Sequence, residues 1–188
     1  MIISQKTLIR PIEREELSLI RKWYNDDEVM HWASGGRPGL EYSLDYLEEV
    51  WFEEIYSDAN ARMMIETRDE KKPIGIIGFR EKNSQERRCK LIVFIGDKEY
   101  WGKGYGTDAV YAFLWFLFNR WNLNRVELDT FEGNERAIKC YEKCGFKIEG
   151  RLRKARFVDG EYKDEIIMGI LKDEFKAIEE ADGGKKQC

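Results

Sequence analysis

The chain has 188 residues, of which 43% are hydrophobic and 36% are charged, and its net charge is −4. This length suits one domain with a sizeable core, and the composition is too apolar for a disordered chain. The negative net charge argues against a nucleic-acid-binding surface. The longest apolar run, residues 109–118, is too short to cross a bilayer, and the N-terminus lacks the apolar segment of a signal peptide. We therefore expect a cytoplasmic protein that contacts neither nucleic acid nor membrane.

In the N-terminal half, alternation of apolar and polar residues predicts a first strand over residues 7–13. Residues 14–26 predict a helix with one apolar face, and the glycine- and proline-rich residues 31–39 predict a loop. Apolar residues at helical spacing predict a second helix over residues 41–57. Three strands are predicted next, over residues 61–67, 72–81 and 87–96.

In the C-terminal half, a glycine-rich loop at residues 102–106 precedes a helix that is apolar on nearly every side, which predicts that it is buried. Residues 124–131 predict another strand. Asn134 and Gly145 predict the beginning and the end of a short helix. Two further strands are predicted around a turn at residues 158–162.

The order of these elements is mixed α/β (α+β), with the strands clustered in the middle of the chain. We expect a mixed, mostly antiparallel sheet of about six to seven strands, flanked by about four helices. A single domain is predicted over residues 1–175, and the polar residues 176–188 predict a mobile tail.

The glycine-rich loop, in the segment EYWGKGYGTDAV at residues 99–110, has the order strand, loop, helix that is typical of an anion site. Free N–H groups at a helix start suit phosphates, glycines let the backbone approach closely, and Lys103 adds a charge. The even spacing of Gly102, Gly104 and Gly106 matches neither a P-loop nor a dinucleotide fingerprint. A tight turn with close helix–strand packing remains the alternative.

A second motif, NERAIKCYEKCGF, places Asn134, Ala137 and Tyr141 on one helix face, because they are spaced three and four apart. Asn134 can cap the helix and also offer its amide to a ligand. The Tyr141 phenol, with a pKa of about 10, can protonate a leaving thiolate with a pKa of about 8.5. The alternative for Tyr141 is a core aromatic residue with a satisfied hydroxyl group.

Cysteine and histidine residues do not predict a metal site. The four cysteines lack metal-ligand spacing, and the single histidine is His31, so we expect no metal. Buried or half-buried free thiols are expected instead. An acylated cysteine is disfavoured because no histidine lies near these thiols in the sequence. The four cysteines are Cys89, Cys140, Cys144 and Cys188.

The two motifs together resemble the GNAT superfamily of acetyl-CoA-dependent N-acetyltransferases. Residues 9–32 and 150–171 extend the likeness over roughly residues 7–175, to the branch of ribosomal-protein N-terminal acetyltransferases and spermidine acetyltransferases. The resemblance implies a GNAT-like fold with splayed central strands, and often a homodimer or a larger assembly. It also implies that acetyl-CoA is the co-substrate and that Tyr141 is the general acid.

The resemblance further implies which residues contact acetyl-CoA. The strand that ends at residue 96 would bind the acetyl and pantetheine groups, and the loop at residues 101–107 would bind the pyrophosphate through backbone N–H groups. The implied contacts are Phe94, Ile95, Gly96, Trp101, Gly102, Lys103, Gly104, Tyr105, Gly106, Thr107, Asn134 and Ala137. Two positions depart from the family: Trp101 stands where Gln or Arg is usual, and Lys90 stands where relatives often carry Glu. The general base is therefore not assigned.

The acetyl acceptor must attack as a neutral amine, and an α-amine with a pKa of about 8 is neutral far more often at pH 7 than an amine with a pKa of about 10.4. Residues 41–57 carry six carboxylates and no basic residue, which is either an ordinary solvated face or a surface that recruits a cation. The resemblance places the early helices beside the acceptor. It thereby implies His31, Trp32, Glu49 and Glu53 as weak candidates for acceptor binding.

We expect direct transfer of an acetyl group from acetyl-CoA to a primary amine, without a covalent enzyme intermediate. The branch resemblance favours the α-amine of a protein or peptide N-terminus. A polyamine, such as spermidine or spermine, or another small amine is the alternative acceptor. A non-catalytic CoA-binding module is the alternative from another class, and a nucleotide-binding regulator is weakened by the two failed fingerprints.

Overall fold

The structure is a computed structural model that describes residues 1–35, 41–52, 57 and 59–181. Its strands form one sheet in the order β1-β2-β3-β4-β5-β6-β8-β7. All neighbouring strands are antiparallel except β5 and β6, which are parallel. The strands are β1 Ile2–Ile3, β2 Thr7–Arg10, β3 Ala61–Thr67, β4 Pro73–Asn83, β5 Arg88–Ile95, β6 Arg125–Phe131, β7 Lys147–Val158 and β8 Glu161–Leu171.

Helices cover the sheet, and the longest, α4, is buried along most of its length. The α-helices are α1 Leu17–Tyr24, α2 Asp27–Ala33, α3 Leu44–Tyr46, α4 Tyr105–Asn119, α5 Glu135–Lys143 and α6 Lys172–Ala181. Two 3₁₀ turns, Arg14–Glu16 and Lys98–Tyr100, precede α1 and the glycine-rich loop. Two apolar clusters result: α4 packs on the sheet in one of them, and α1 to α3 enclose Trp23 in the other.

The prediction of a mixed sheet is confirmed, and its eight strands exceed the expected number because the short β1 pairs with β2. The first predicted strand ends at Arg10 because Pro11 has no N–H group to continue the ladder. Within the helix predicted over residues 41–57, α3 continues as a π-helical turn at Leu47–Trp51, and residues 53–56 lie outside the described residues.

The predicted polar tail begins inside a helix, since α6 extends to Ala181. Phe175 anchors this helix and is fully buried. Its ring lies 5.0 Å from the Tyr111 ring and 5.4 Å from the Phe118 ring, both on α4. Phe175 therefore anchors a helix that extends past residue 175, where polarity predicts the end of the domain. Residues 182–188 lie outside the described residues.

The sheet divides at its centre, as the resemblance implies. β5 and β6 pair only over three positions, from Arg88 opposite Arg125 to Lys90 opposite Glu127. Beyond Lys90, β5 remains paired to β4 while it separates from β6. This opening exposes one backbone edge of β5 between the sheet halves, and α4 and α5 lie at its rim.

The Trp23 indole packs so closely on Gly96, at the end of β5, that this position has no room for a side chain. A Cβ atom on Gly96 would lie 2.2 Å from the buried indole ring of Trp23. We expect Gly96→Ala to destabilise the fold by about 1–3 kcal/mol, because the indole must shift in a packed core. Thermal unfolding measures this effect, and Gly150→Ala is the control because its Cβ meets nothing within 4 Å. Equal melting temperatures for the two variants would contradict the packing argument.

Candidate active site

A cavity of about 350 Å³ lies beside the end of β5, next to α4 and α5. Its walls come from β5, the glycine-rich loop, the first turn of α4, α5 and the end of α2. Most of the predicted site residues line it, and they come from segments that are far apart in the sequence. These residues are Trp32, Phe94, Ile95, Trp101, Gly102, Gly104, Gly106, Thr107, Asn134, Ala137 and Tyr141.

The backbone direction of β5 decides which of its residues face the cavity. The Gly96 N–H group donates to the Ile74 carbonyl in β4, at 2.8 Å. Successive peptide groups in a strand point to opposite sides, so Ile95 and Val93 turn their N–H and C=O groups to the opening. Gly96 is therefore turned away from the cavity, and its contact with acetyl-CoA stays a prediction. Val93, which lines the cavity, was missed by sequence reasoning.

Trp101 holds the end of β5 in place. Its indole N–H group donates to the Ile95 carbonyl at 2.7 Å. The Phe94 ring packs in the same apolar cluster as Trp101, 5.6 Å from the Tyr24 ring and 6.4 Å from the Trp23 ring. These contacts hold the end of the splayed strand, so its gap-facing amides keep their direction without a neighbouring strand.

The glycine-rich loop has the backbone geometry that the predicted anion cradle requires. Gly102 and Gly104 have φ values of 70° and 86°, in the left-handed region that favours glycine. Gly104 is the N-cap of α4 and has no side chain to cap the helix, so the first-turn N–H groups stay available to a ligand. The positive end of the helix dipole adds to their attraction for phosphate.

Two predicted members of the loop do not reach the cavity wall. The Lys103 carbonyl accepts from the Lys6 ammonium group at 2.9 Å. The Tyr105 ring packs on the Tyr100 ring, with centroids 5.1 Å apart. Neither residue lines the cavity, so both contribute to the loop through these contacts.

Asp108, in the first turn of α4, ties the cradle to the N-terminal strands. One carboxylate oxygen accepts from the Thr7 N–H at 2.9 Å, the Thr7 hydroxyl at 2.7 Å and the Lys6 N–H at 3.1 Å. The other accepts from the Ser4 hydroxyl at 3.0 Å. Sequence reasoning missed this anchor. Its only local signal is an acidic residue in a first helical turn, which is common.

Loss of this anchor should loosen the cradle. We expect Asp108→Asn to weaken CoA binding about tenfold, because an amide replaces one acceptor oxygen by a donor that faces other donors. Isothermal titration calorimetry with CoA measures the change. Asp173→Asn is the matched control, since Asp173 also lies in a first helical turn but is exposed. Unchanged affinity in Asp108→Asn would show that the anchor does not position the cradle.

Asn134 is a buried polar residue with one unused atom. It is 4% exposed, and its amide nitrogen donates to the Thr130 hydroxyl at 3.1 Å and to the Trp32 carbonyl at 3.4 Å. These bonds replace the predicted side-chain cap of α5, which is absent. Its Oδ1 atom is buried and has no hydrogen-bond partner within the described part of the chain. Such an orphaned acceptor suits an N–H group of a bound ligand.

Tyr141 presents its half-buried side chain to the cavity from α5. Burial raises the pKa of its phenol, and the nearby Cys140, Cys144 and Asp129 raise it further. The ring packs edge-on against Phe146, with centroids 5.9 Å apart. Tyr141 therefore stays protonated at neutral pH, which is the state that a proton donor requires.

The cavity wall on α5 also carries three cations that sequence reasoning did not single out: Arg136, Lys139 and Lys143. The Arg136 guanidinium lies 4.2 Å from the centroid of the Trp101 ring and 5.7 Å from that of Trp32. The family usually has Gln or Arg at the position of Trp101. Here Trp101 instead packs against the side chain of Arg136, which brings a guanidinium group to the same part of the loop. These charges favour an anionic ligand in a chain whose net charge is negative.

The candidates for acceptor binding are only partly brought together. Trp32 lines the cavity, but His31 does not. The His31 Nδ1 atom lies 3.5 Å from an Asp159 oxygen, and its ring packs on those of Trp32 and Phe131. Glu49 is exposed on the π-helical turn, and Glu53 lies outside the described residues. Lys90 forms an ion pair with Glu81 at 2.8 Å.

The geometry fits acetyl-CoA. First-turn N–H groups and the α5 cations suit its phosphates, the Asn134 Oδ1 atom suits a pantetheine amide, and the edge of β5 suits the amide chain. Within residues 1–35, 41–52, 57 and 59–181, no group of three or more His, Cys, Asp or Glu side chains is placed to hold a metal ion. No helix among these residues is both long and apolar enough to cross a membrane.

In this sheet the central strands separate, and a glycine-rich loop with the start of α4 lies at the opening. This arrangement is typical of enzymes that use an acyl-CoA. The family model described as acetyltransferase (GNAT) domain matches residues 6–147, and the chain belongs to this family. It is an acetyl-CoA-dependent N-acetyltransferase that acts on amines.

Several relatives are similar over nearly the whole chain. Spermidine N(1)-acetyltransferase of Escherichia coli (strain K12) is 30% identical over 176 residues, covering 93% of this chain and 91% of the relative. The Vibrio cholerae enzyme of the same name is 31% identical over 173 residues, covering 92% and 96%. A crystal structure of spermidine N-acetyltransferase from Vibrio cholerae in complex with CoA and spermine has a TM-score of 0.82 at 29% identity, covering 90% of this chain and 98% of that chain.

Proposed function

We propose that this enzyme transfers an acetyl group from acetyl-CoA to a primary amine of a polyamine such as spermidine. The orphaned Asn134 Oδ1 atom beside an uncapped helix start supports the acetyl-CoA site most directly. The two spermidine acetyltransferases that are similar over nine-tenths of the chain support the acceptor class. A polyamine thus replaces the N-terminal α-amine that the sequence favoured.

The chain's own residues divide the work between binding and proton transfer. The backbone amides of Val93 and Ile95 that face the gap orient the thioester of acetyl-CoA, which supplies the acetyl group. The first-turn N–H groups of α4 hold the phosphates. Tyr141 gives its proton to the leaving sulfur, and the fold contributes proximity, which is worth several kcal/mol.

Features near α3 support a cationic acceptor. Asp45 and Glu49 are exposed carboxylates on this segment. The rings of Tyr24, Tyr42 and Trp51 form a cluster, with Tyr24 5.4 Å from Tyr42 and 5.8 Å from Trp51, and the Arg62 guanidinium lies 5.7 Å from the Trp51 centroid. Ammonium groups are attracted both to carboxylates and to aromatic faces. This cluster reaches Phe94 on β5, which connects it to the cavity.

Steady-state acetyl transfer to two acceptors tests the proposal. We expect kcat/KM for spermidine to exceed that for a peptide that begins with Ala or Ser by at least about tenfold, because the site has carboxylates for a polycation. Both acceptors are compared at one pH and a saturating concentration of acetyl-CoA. A preference for the peptide would restore the N-terminal α-amine as the acceptor. CoA binding without transfer to either would indicate a non-catalytic module.

A further inference from the structure

Two thiols lie where α5 meets the first turn of α4. The Cys140 Sγ atom lines the cavity and accepts from the Thr107 hydroxyl at 3.3 Å. The Cys144 thiol donates to the Thr107 carbonyl at 3.5 Å. Both thiols thus hydrogen-bond to Thr107, one to its hydroxyl group and the other to its carbonyl. The acetyl-transfer chemistry uses neither of them.

Cys140 differs in acidity from Cys89. The neighbouring Cys144 thiol, a hydrogen bond from the Thr107 hydroxyl group and the Lys143 charge lower the pKa of Cys140 to about 7, against the opposing effect of burial. Burial raises the pKa of Cys89 to about 12. Cys140 therefore forms the thiolate, the reactive form, at a lower pH than an ordinary thiol, whereas Cys89 is a protonated thiol in the core.

We propose that Cys140 is an oxidation site for peroxides, with Cys144 as its resolving thiol. The Cys140 thiolate attacks one peroxide oxygen, the O–O bond breaks, and hydroxide leaves, so that Cys140 becomes a sulfenic acid. The Cys144 thiol then attacks the oxidised sulfur. A disulfide forms, and its proton and the hydroxyl group leave as water.

The disulfide alters the cradle through Thr107. It converts the sulfur that accepts from the Thr107 hydroxyl group into a neutral and weaker acceptor, and it removes the S–H group that donates to the Thr107 carbonyl. Thr107 lines the cavity in the first turn of α4, where phosphate is expected to bind. Oxidation therefore weakens CoA binding, and bound CoA shields Cys140 from peroxide. Both effects on CoA rest on the proposed function, whereas the oxidation of Cys140 does not.

Peptide mass mapping of the full chain, after limiting hydrogen peroxide in the presence or absence of dimedone, tests the oxidation. We expect a Cys140–Cys144 disulfide to form at least tenfold faster than any oxidation of Cys89, the internal control. In Cys144→Ser, dimedone should trap Cys140 as the sulfenic acid. Cys188 lies outside the described residues, and its oxidation is measured in a separate peptide. Oxidation of Cys140 no faster than Cys89, in the wild type and in Cys144→Ser, would overturn the proposal.

Calorimetry with CoA then tests the consequence. Oxidised wild type should bind CoA at least tenfold more weakly than reduced protein, with recovery in dithiothreitol, whereas peroxide should not change the CoA affinity of Cys140→Ser. Equal affinities of reduced and oxidised wild type would contradict the effect on the cradle. Absence of CoA binding by reduced wild type would instead contradict the proposed function, while the mass mapping would still decide the oxidation.

Discussion

Replacement of Tyr141 by phenylalanine should slow acetyl transfer about 100- to 1000-fold, in the range known for general acids. The leaving thiolate of CoA, with an ordinary pKa of about 8.5, departs into a cavity with an apolar wall. Burial in that cavity raises the pKa of Tyr141, and burial would also raise the pKa of the departing thiol, so the proton remains transferable between them. Phenylalanine fills the same space and leaves the thiolate without a donor.

The Tyr141→Phe measurement separates chemistry from binding. Calorimetry should give an unchanged affinity for acetyl-CoA, because the phosphates and the pantetheine are held elsewhere, while single-turnover acetyl transfer slows. Tyr162→Phe is the matched control, since Tyr162 is exposed on the β7–β8 hairpin. Transfer by Tyr141→Phe at the wild-type rate would remove this phenol from the mechanism.

Substitution of Gly104 by alanine should weaken CoA binding about ten- to hundredfold. Gly104 caps α4 with a φ value of 86°, where a side chain costs about 1–2 kcal/mol. Its Cβ meets only the Lys6 ammonium group, at 3.6 Å, so the penalty comes from the backbone. Relief of this strain turns the first-turn N–H groups away from the position that a phosphate requires.

Gly160→Ala provides a control of equal backbone cost. Gly160 has a φ value of 80° in the β7–β8 turn, and its Cβ would meet nothing within 4 Å. Both variants should melt at similarly lowered temperatures, yet only Gly104→Ala should lose CoA affinity in calorimetry. Equal CoA affinities for the two variants would mean that the helix start does not hold the phosphates.

Local patterns predicted the parts of this site that lie within one stretch of chain. The glycine-rich loop, the apolar α4 and the shared face of Asn134 and Tyr141 depend on spacings of a few residues, so the sequence displays them. The branching of the sheet at β5 followed from the family resemblance rather than from periodicity. Its geometry depends on a parallel pairing that ends after three positions.

Long-range contacts explain what the sequence could not predict. Asp108 bonds to Ser4, Lys6 and Thr7, more than one hundred residues away, and no local pattern signals these partners. The outward turn of Gly96 follows from its pairing to Ile74 in another strand. The π-helical turn within the helix predicted over residues 41–57 was not foreseen, because apolar spacing carries no sign of it.

A crystal structure of this protein with acetyl-CoA tests the central claim most directly. The account predicts that the diphosphate lies against the backbone N–H groups of residues 102–107, and that a pantetheine amide donates to the Asn134 Oδ1 atom. Density for the diphosphate away from that helix start, with the Asn134 oxygen still unpartnered, would contradict it.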